Sequence, residues 1–185
     1  MEARKKYENV KLFCGILYRD EDIFNAALRK LVLKFGNEVD LSAGPFNFDF
    51  TGYYRDEMGD SLKRRFVSFK KIVSPENSCS WKILTNNIEK EFYGTGEFPR
   101  RVNLDPGYMN LSRVILFSAK DFYHRIYLGK GIFAEVTLYF KKNRFVFLPW
   151  TFPDYKSKEY LDFFMRLREV YKVQLHNEKV DPSTD

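Results

Sequence analysis

The sequence predicts one α+β domain built on an antiparallel-rich mixed sheet, with three main helices packed largely on one face. Apolar runs with strand-like alternation are interleaved with stretches of helical periodicity, and two predicted hairpins follow each other in residues 124–150. The hairpins in series disfavour a parallel Rossmann sheet. Two strand-then-helix units, residues 11–36 and 65–93, leave a duplicated strand-helix arrangement open.

Length and composition favour a single core. The chain has 185 residues, of which 44% are hydrophobic and 18% aromatic, enough apolar side chain for one packed domain. We expect this domain to occupy residues 10–175, with flexible polar tails at residues 1–9 and 176–185. No apolar run approaches the ~20 residues that span a bilayer, and no signal peptide is recognisable, so a cytoplasmic protein without membrane contact is predicted.

The net charge and the cysteine content exclude few classes of binding partner or cofactor. The net charge of +6 favours anionic partners, but the basic residues are spread along the chain, so nucleic acid is an alternative without specific support. Cys14 and Cys79 lack the C-x-x-C spacing of redox and zinc motifs and are predicted to be reduced structural thiols. The sequence specifies neither a cofactor nor an oligomeric state.

The first half of the chain is predicted to form strand, helix, strand and strand. Residues 11–17 are apolar on both alternating faces, which is typical of a central strand covered on both sides. Asp20 is suited to cap the following helix and Gly36 to end it. Pro45 opens a predicted half-buried strand, and another strand is expected over residues 65–73. The apolar face of the Pro45 strand carries Phe46, Phe48 and Phe50, and its polar face carries Asn47, Asp49 and Thr51.

The second half is predicted to form helix, strand, two hairpins and helix. Pro75 suits the first turn of a helix, and Pro106-Gly107 fits the centre of a type II turn. Residues 113–119 are assigned to a strand because they are rich in β-branched side chains, and Ser157 is suited to cap the last helix. The predicted helix stripes are Trp81, Leu84, Ile88 and Phe92, and then Leu161, Phe164, Arg168, Tyr171 and Leu175.

The stretch KDFYHRIYLGKGIFAEVTL contains Gly129-Lys130-Gly131. A Walker loop needs a helix after its lysine, whereas a strand-like run follows here, so a hairpin turn with a solvated lysine is the favoured interpretation. That turn pairs Arg125 with Glu135 across the strands, on a face with several aromatic rings. The opposite face, assigned to the core, carries His124, Ile126, Leu128, Ile132, Ala134, Val136 and Leu138.

Several polar residues are candidates for chemistry, and each has a structural alternative. His124 is either a general base or a satisfied core histidine. Asp105 is either part of a site or the side-chain cap of the Asp-Pro-Gly turn. The basic run around Arg64 is either a solvated surface or, beside Tyr53, a phosphate site. No G-x-S-x-G, H-E-x-x-H or dinucleotide glycine pattern is present, and no metal site is predicted.

Five blocks in order, FDFTGYYRDEMG, LKRRFVSF, RRVNLDPGY, KDFYHRIYLGKGIFAEVTL and LPWTFPDY, carry a family resemblance. Over residues 10–175 the chain resembles the prokaryotic domain of unknown function 4416 family. The resemblance implies no established activity, and Gly52 stands where an acidic residue is common in the family. The polar residues that it places at family motif positions are Asp49, Tyr53, Arg64, Asn103, Asp105, Lys120, His124, Arg125 and Glu135.

The leading hypothesis is a protein that binds a small anionic ligand, a nucleotide or a phosphate ester, in a polar cleft on the sheet, with hydrolytic or transfer activity left open. One alternative is a non-catalytic interaction module that uses exposed aromatic residues such as Trp150, Phe152 and Tyr155. The other is an RNA-binding domain. The expected ligand-binding residues are Arg125, Lys120, Arg64, Asp49, Tyr53 and Asn103, and the expected catalytic residues are Glu135, Asp105 and His124.

Overall fold

The computed structural model describes residues 7–180, and these form eight strands in one antiparallel sheet. The strands are β1 (Lys11–Tyr18), β2 (Val39–Asn47), β3 (Lys63–Phe69), β4 (Val102–Met109), β5 (Arg113–Ser118), β6 (Ile126–Gly129), β7 (Ile132–Lys141) and β8 (Arg144–Phe147). The helices are α1 (Glu21–Phe35), the short α2 (Arg55–Met58), α3 (Cys79–Glu91) and α4 (Lys158–Val180), with a 3-10 turn at Asp154–Lys156. The strand order is β2-β3-β1-β4-β5-β7-β6, and β8 pairs with β7.

The predicted α+β class is confirmed, and the central position predicted for β1 is confirmed with it. Every residue of β1 is buried, because successive side chains enter two different cores. Leu12, Cys14 and Ile16 pack on one face with α1 and α3. Phe13 enters the other face, where α4 lies. Two of the three main helices therefore share one face, and the third covers the opposite one.

The core under α4 is built mainly from aromatic rings. Phe66 of β3 stacks on Phe163 of α4 with ring centroids 5.0 Å apart, and Phe13 meets Phe164 edge to face at 5.2 Å. The predicted stripe of α4 is confirmed at Phe164, and Arg168 lies with its guanidinium 3.7 Å from the ring centroid of Phe140. Aromatic pairs in these arrangements add stability beyond their buried area.

The strand predicted to start at Pro45 was placed too late in the sequence. β2 begins at Val39 and ends at Asn47, and Pro45 lies inside it at a register shift between Ala43 and Phe46. A proline is tolerated there because β2 is an edge strand and the missing N–H removes no ladder bond. The alternation predicted for Phe48, Asp49 and Phe50 therefore does not apply, since these residues follow the strand.

The type II turn predicted at Pro106-Gly107 is also wrong, because both residues lie inside β4. The β4–β5 ladder begins at the pair Gly107 and Leu116, so Pro106 stands just outside it. Gly107 is needed for close packing, since a Cβ there would lie 2.4 Å from the Ile115 carbonyl oxygen and 2.6 Å from Phe13 Cζ. A Pro-Gly pair, usually a turn signal, here marks the point where two strands begin to separate.

Beyond that point β4 and β5 diverge, and α3 takes over the bonding of the unpaired edge of β4. Lys82 Nζ donates to the Leu104 carbonyl oxygen at 2.7 Å, and the Leu104 N–H donates to Glu89 Oε1 at 2.8 Å. Lys82 and Glu89 are seven positions apart on the helix and thus lie on one side of it. Two side chains replace the missing strand, which keeps the split in the sheet open.

The β6–β7 hairpin has most of its predicted register. Ile126 pairs with Ala134 and Tyr127 with Phe133, and Lys130 occupies the left-handed region at φ 55° in the turn. The predicted core face is wrong for this strand, because Ile126 is 71% exposed. The physical reason is that β6 is an edge strand without a covering helix. His124, assigned to the same face, lies instead in a turn before β6.

The last helix extends beyond the predicted domain end at Leu175, since α4 continues to Val180. Residues 1–6 and 181–185 of the predicted tails lie outside the described residues. Within the described part of the chain, helices are too short or too polar to cross a membrane.

Glu89→Ala is expected to lower the free energy of unfolding by about 3 kcal/mol, because it removes the buried carboxylate that Lys82 and Arg100 share and leaves the Leu104 N–H without an acceptor. Urea denaturation followed by circular dichroism measures the change. Glu91→Ala, on the exposed side of the same helix, is the matched control and should change stability little. Equal losses in the two variants would contradict the role assigned to Glu89.

Candidate functional site

A cavity of about 520 Å³ lies on the face of the sheet that α4 covers, beyond the N-terminal end of that helix. Its floor is formed by β3, β4, β5 and β7, and α3 reaches it through the split between β4 and β5. Its walls come from the segments 48–54, 118–125 and 152–155. The sheet supplies polar floor residues, whereas the segments above it supply mostly aromatic rings.

Most of the predicted site residues line this one cavity. His124 does not line it and reaches it only through a hydrogen bond to Glu135, and the predicted residue Asp49 is exposed outside it. Asp49 was chosen from strand alternation, which does not hold after β2 ends at Asn47. The predicted residues that line the cavity are Tyr53, Arg64, Asn103, Asp105, Lys120, Arg125 and Glu135.

An ion pair that spans a strand forms the inner end of the cavity. Arg64 lies on β3 and Asp105 on β4, with β1 between them, and Arg64 Nη1 donates to Asp105 Oδ2 at 2.7 Å. The guanidinium crosses β1 above Gly15, which pairs with Asp105 and has no side chain to block the path. Arg64 is 2% exposed, so this pair is largely removed from water.

Neighbouring charges fix the ionisation of this pair. Burial alone raises the pKa of the Asp105 carboxyl, but the charges of Arg64 and Lys82 outweigh burial and hold that pKa below its ordinary value. Burial likewise lowers the pKa of Arg64, but Asp105, Tyr155, Tyr160 and Asp154 together more than reverse the effect, so the guanidinium stays charged. Asn103 Nδ2 also donates to Asp105 Oδ2 at 2.7 Å. Asp105 is thus a fixed anion and a weak base.

Arg100 is a second, partly buried cation beside the first. Its Nη2 donates to Glu89 Oε2 at 2.9 Å and to Asn103 Oδ1, and its Nη1 donates to Glu57 Oε2 at 2.9 Å. Asn103 therefore links Arg100 to Asp105, and α2, α3 and β4 are joined through one guanidinium. These cations are already balanced by carboxylates, so the inner end carries little net charge.

Arg125 and Glu135 form the other polar cluster, near the mouth. Arg125 Nε donates to Glu135 Oε2 at 2.8 Å, and its Nη1 donates to Ser118 Oγ and to the Lys120 carbonyl oxygen, both at 2.8 Å. His124 Nε2 lies 3.0 Å from the same carboxylate oxygen. The predicted proximity of Arg125 and Glu135 is thus present in the structure, although Arg125 precedes β6.

His124 is held between rings. Its imidazole is nearly parallel to Phe122 and to Trp150, with the Trp150 centroid 5.1 Å away, and Trp150 Nε1 donates to the Val136 carbonyl oxygen at 2.8 Å. The buried Nδ1 has no partner among the described residues. This arrangement fits a residue that positions Glu135 rather than one that reaches a ligand.

Lys120 is the cation at the mouth. Its Nζ lies 4.2 Å from the ring centroid of Tyr53, and no carboxylate of the described residues forms an ion pair with it. Both residues are exposed at the rim of the cavity. A charge held over a ring and left without a counterion is available to an anion.

Sequence reasoning missed Asp154 and Tyr155 as cavity residues and assigned Tyr155 to an exposed surface, whereas both close the inner end. Asp154 Oδ2 lies 4.0 Å from Arg64 Nη2, and burial raises the pKa of this carboxyl despite the guanidinium. The Tyr155 hydroxyl and Arg64 Nε are buried without a hydrogen-bond partner in the described chain. The block LPWTFPDY contained both missed residues but gave no periodicity that distinguished them.

Lys82 and Glu89 were missed as well, although the sequence held a signal for them. Lys82, Thr85, Asn86 and Glu89 follow helical spacing beside the apolar stripe of α3, and Lys82, Thr85 and Glu89 are buried. A polar row with that spacing on a packed helix indicates buried polar contacts. Among the described residues no group of three His, Cys, Asp or Glu side chains is arranged to hold a metal ion.

The fold and the site define a class: an antiparallel α+β protein with one polar, aromatic-walled cavity at the end of its sheet. Comparison with known families gives the same grouping as the quoted sequence blocks. The chain belongs to the family described as Domain of unknown function (DUF4416), which it matches over residues 8–171. No curated protein matches the sequence.

Gly15→Val is expected to force the Arg64 guanidinium away from Asp105, because a Cβ at Gly15 would already lie 3.1 Å from Arg64 Nη1. Loss of the buried pair should cost about 3 kcal/mol of unfolding free energy. Gly15→Ala, whose single methyl needs only a small shift, should cost clearly less. Gly52→Val is the control, since nothing lies within 4 Å of its Cβ position. Chemical denaturation of the three variants tests the order, and equal effects of valine and alanine at Gly15 would contradict it.

Asp154→Asn is expected to become more stable relative to the wild type as pH rises. The folded-state pKa of Asp154 is raised, so its contribution to stability is full below the unfolded-state pKa and is lost as pH rises through the folded-state pKa. Urea denaturation from pH 4 to pH 8 measures the difference. A difference that is constant with pH would show that the pKa of Asp154 is the same in the folded and unfolded states.

Proposed function

We propose that this protein binds a small anionic ligand, a nucleotide or a phosphate ester, in the cavity at the end of its sheet. The observation that carries the proposal is a cavity of about 520 Å³ whose lining cations outnumber its lining carboxylates. A volume of this size suits a small-molecule ligand. The cations are Arg64, Lys82, Arg100, Lys120 and Arg125, and the carboxylates are Asp105, Glu135 and Asp154.

The cations differ in whether a neighbouring carboxylate balances their charge. Lys82 and Arg100 are bound by Glu89, and Arg64 is bound by Asp105. The Lys120 ammonium lies over the ring of Tyr53 and forms no ion pair with a carboxylate in the described chain, so its charge is unbalanced. Arg125 uses Nε and Nη1 for protein contacts, which leaves Nη2 for a ligand. The proposed anion site is therefore at the mouth.

Aromatic rings form the walls of the cavity between its inner end and its mouth. A planar group of the ligand could stack against these rings. The same rings limit contact with water, which strengthens the attraction between the cations and a bound anion. The walls carry Phe48, Phe50, Tyr53, Tyr54, Phe122 and Phe152.

Hydrolytic or transfer activity is a further part of the proposal. Asp105 is held ionised by its neighbours, and Glu135 is occupied by Arg125, His124 and Thr137. Asp154 differs, since its pKa is raised and it lines the cavity, which suits a group that exchanges a proton with a ligand.

We also propose that the protein is cytoplasmic, because its two unpaired cysteines would stay reduced in the cytoplasm.

We propose as a second candidate a contact with another protein at the edge strand β6. Tyr123, Ile126 and Tyr127 are 87%, 71% and 60% exposed, and an uncovered edge can pair with another strand. This surface differs from the aromatic residues named from sequence, because Tyr155 is buried and Trp150 is stacked on His124.

Calorimetric titration with phosphate monoesters tests the anion site. Lys120→Met is expected to weaken binding about tenfold or more, because it removes a cation at the mouth that has no counterion among the described residues. Lys130→Met, in the hairpin turn outside the cavity, is the matched control and should bind as the wild type does. Equal weakening by both changes, or no binding of any phosphate ester to the wild type, would reject the proposal.

A further inference from the structure

The geometry points to a phosphomonoester whose planar ring carries a carbonyl oxygen, bound with its phosphate at the mouth and the carbonyl at the inner end. This inference rests on the proposed function and adds the direction and the chemical class of the ligand. Three observations carry it: two unpartnered donors at the inner end, the balance of charge there, and the free cation at the mouth.

Two hydrogen-bond donors at the inner end have no acceptor among the described residues. Arg64 Nε and the Tyr155 hydroxyl are buried without a partner, and both residues line the cavity. A buried donor without a partner destabilises the fold, and a ligand acceptor would offset that cost. The required ligand atom is an oxygen that accepts two hydrogen bonds, such as a ring carbonyl.

The carboxylates at the inner end favour an uncharged hydrogen-bond acceptor on the ligand. The guanidinium of Arg64 has Asp105 at 2.7 Å and Asp154 at 4.0 Å, so its charge is already balanced by carboxylates. A phosphate placed there would lie among those carboxylates in a buried site, which is costly. A carbonyl oxygen brings partial charge only and avoids the repulsion.

Charge at the mouth selects an anion. Lys120 and Arg125 stand there against the single carboxylate of Glu135, which is bound by Arg125. Ser118 Oγ accepts from Arg125 Nη1 and from the Lys120 N–H, which leaves its own proton free to donate. An ammonium, a guanidinium group and a hydroxyl together match a phosphate.

The two ends lie on different strands of the sheet. Asp105 on β4 and Glu135 on β7 are two strand positions apart, and because β4 and β5 diverge before Gly107 their separation exceeds the ~10 Å of two regular strand spacings. Aromatic walls lie between, where Arg64 faces Phe48 at 5.2 Å and Arg125 faces Phe122 at 4.8 Å. This spacing suits a molecule with a ring and a phosphate joined by a short linker, such as a nucleoside monophosphate.

Calorimetric titration with uridine monophosphate, cytidine monophosphate, uridine and inorganic phosphate tests the inference on the full chain. The two nucleotides differ at the ring position farthest from the phosphate, where uracil has a carbonyl and cytosine has an amino group. We expect uridine monophosphate to bind at least tenfold more tightly than cytidine monophosphate, because an amino group would face donors. Uridine and inorganic phosphate should each bind more weakly than the nucleotide.

Tyr155→Phe removes one inner donor and keeps the ring, so it should bring the affinities of the two nucleotides closer together at unchanged stability. Tyr108→Phe, on the opposite face of the sheet, is the control and should preserve the preference. Lys120→Met should weaken both nucleotides by the same factor. Equal binding of both nucleotides to the wild type, or a preference that survives Tyr155→Phe unchanged, would overturn the inference and leave the anion site standing. Absence of binding by any phosphate compound would reject the proposed function itself.

Discussion

The ion pair between Arg64 and Asp105 is the constraint on which the inner half of this molecule depends. It joins β3 to β4 across β1, and Gly15 lies in between, where a side chain larger than a methyl group would displace the guanidinium. A buried charge needs a complete set of partners. Asn103 bonds the same carboxylate, and Asp154 brings the 3-10 turn to the same guanidinium. The cavity is the space that these polar groups keep from closing.

A polar centre of this kind is held in place by the apolar packing around it. The rings beneath α4 and the mixed aliphatic and aromatic core beneath α1 and α3 lie on the two faces of the same strands, so β1 and β3 are fixed from both sides. The split between β4 and β5 is stabilised differently, by Lys82 and Glu89, which bond the backbone of Leu104 in place of a strand. Removing water from such bonds makes them strong and their loss costly.

Local patterns in the sequence were sufficient where neighbours along the chain determine the structure. The capped helix α1 and the β6–β7 register follow from residues within a few positions of each other, and that register brought Arg125 to Glu135. Patterns failed where distant elements decide: Pro106-Gly107 is a turn signal that the neighbouring strands override, and Ile126 alternates correctly but nothing covers it.

The inner end was beyond prediction for the same reason. Arg64, Asp105 and Asp154 are far apart in the sequence, and their contact depends on strand order and on a glycine in a third strand. The sequence singled out Arg64 and Asp105 separately, but no spacing rule links residues across an intervening strand. Asp154 follows a loop with no periodic pattern, so only the folded chain identifies its neighbours.

The two ends of the cavity therefore differ in how easily they can open as well as in charge. The inner end joins β3, β4 and the 3-10 turn through buried contacts, so it cannot open without breaking the core. The mouth is formed by exposed residues of segment 118–125, anchored to the sheet mainly through Arg125. Regions with few buried contacts open at low free energy. A ligand would consequently enter and leave at the Lys120 end, while the inner end would keep its conformation.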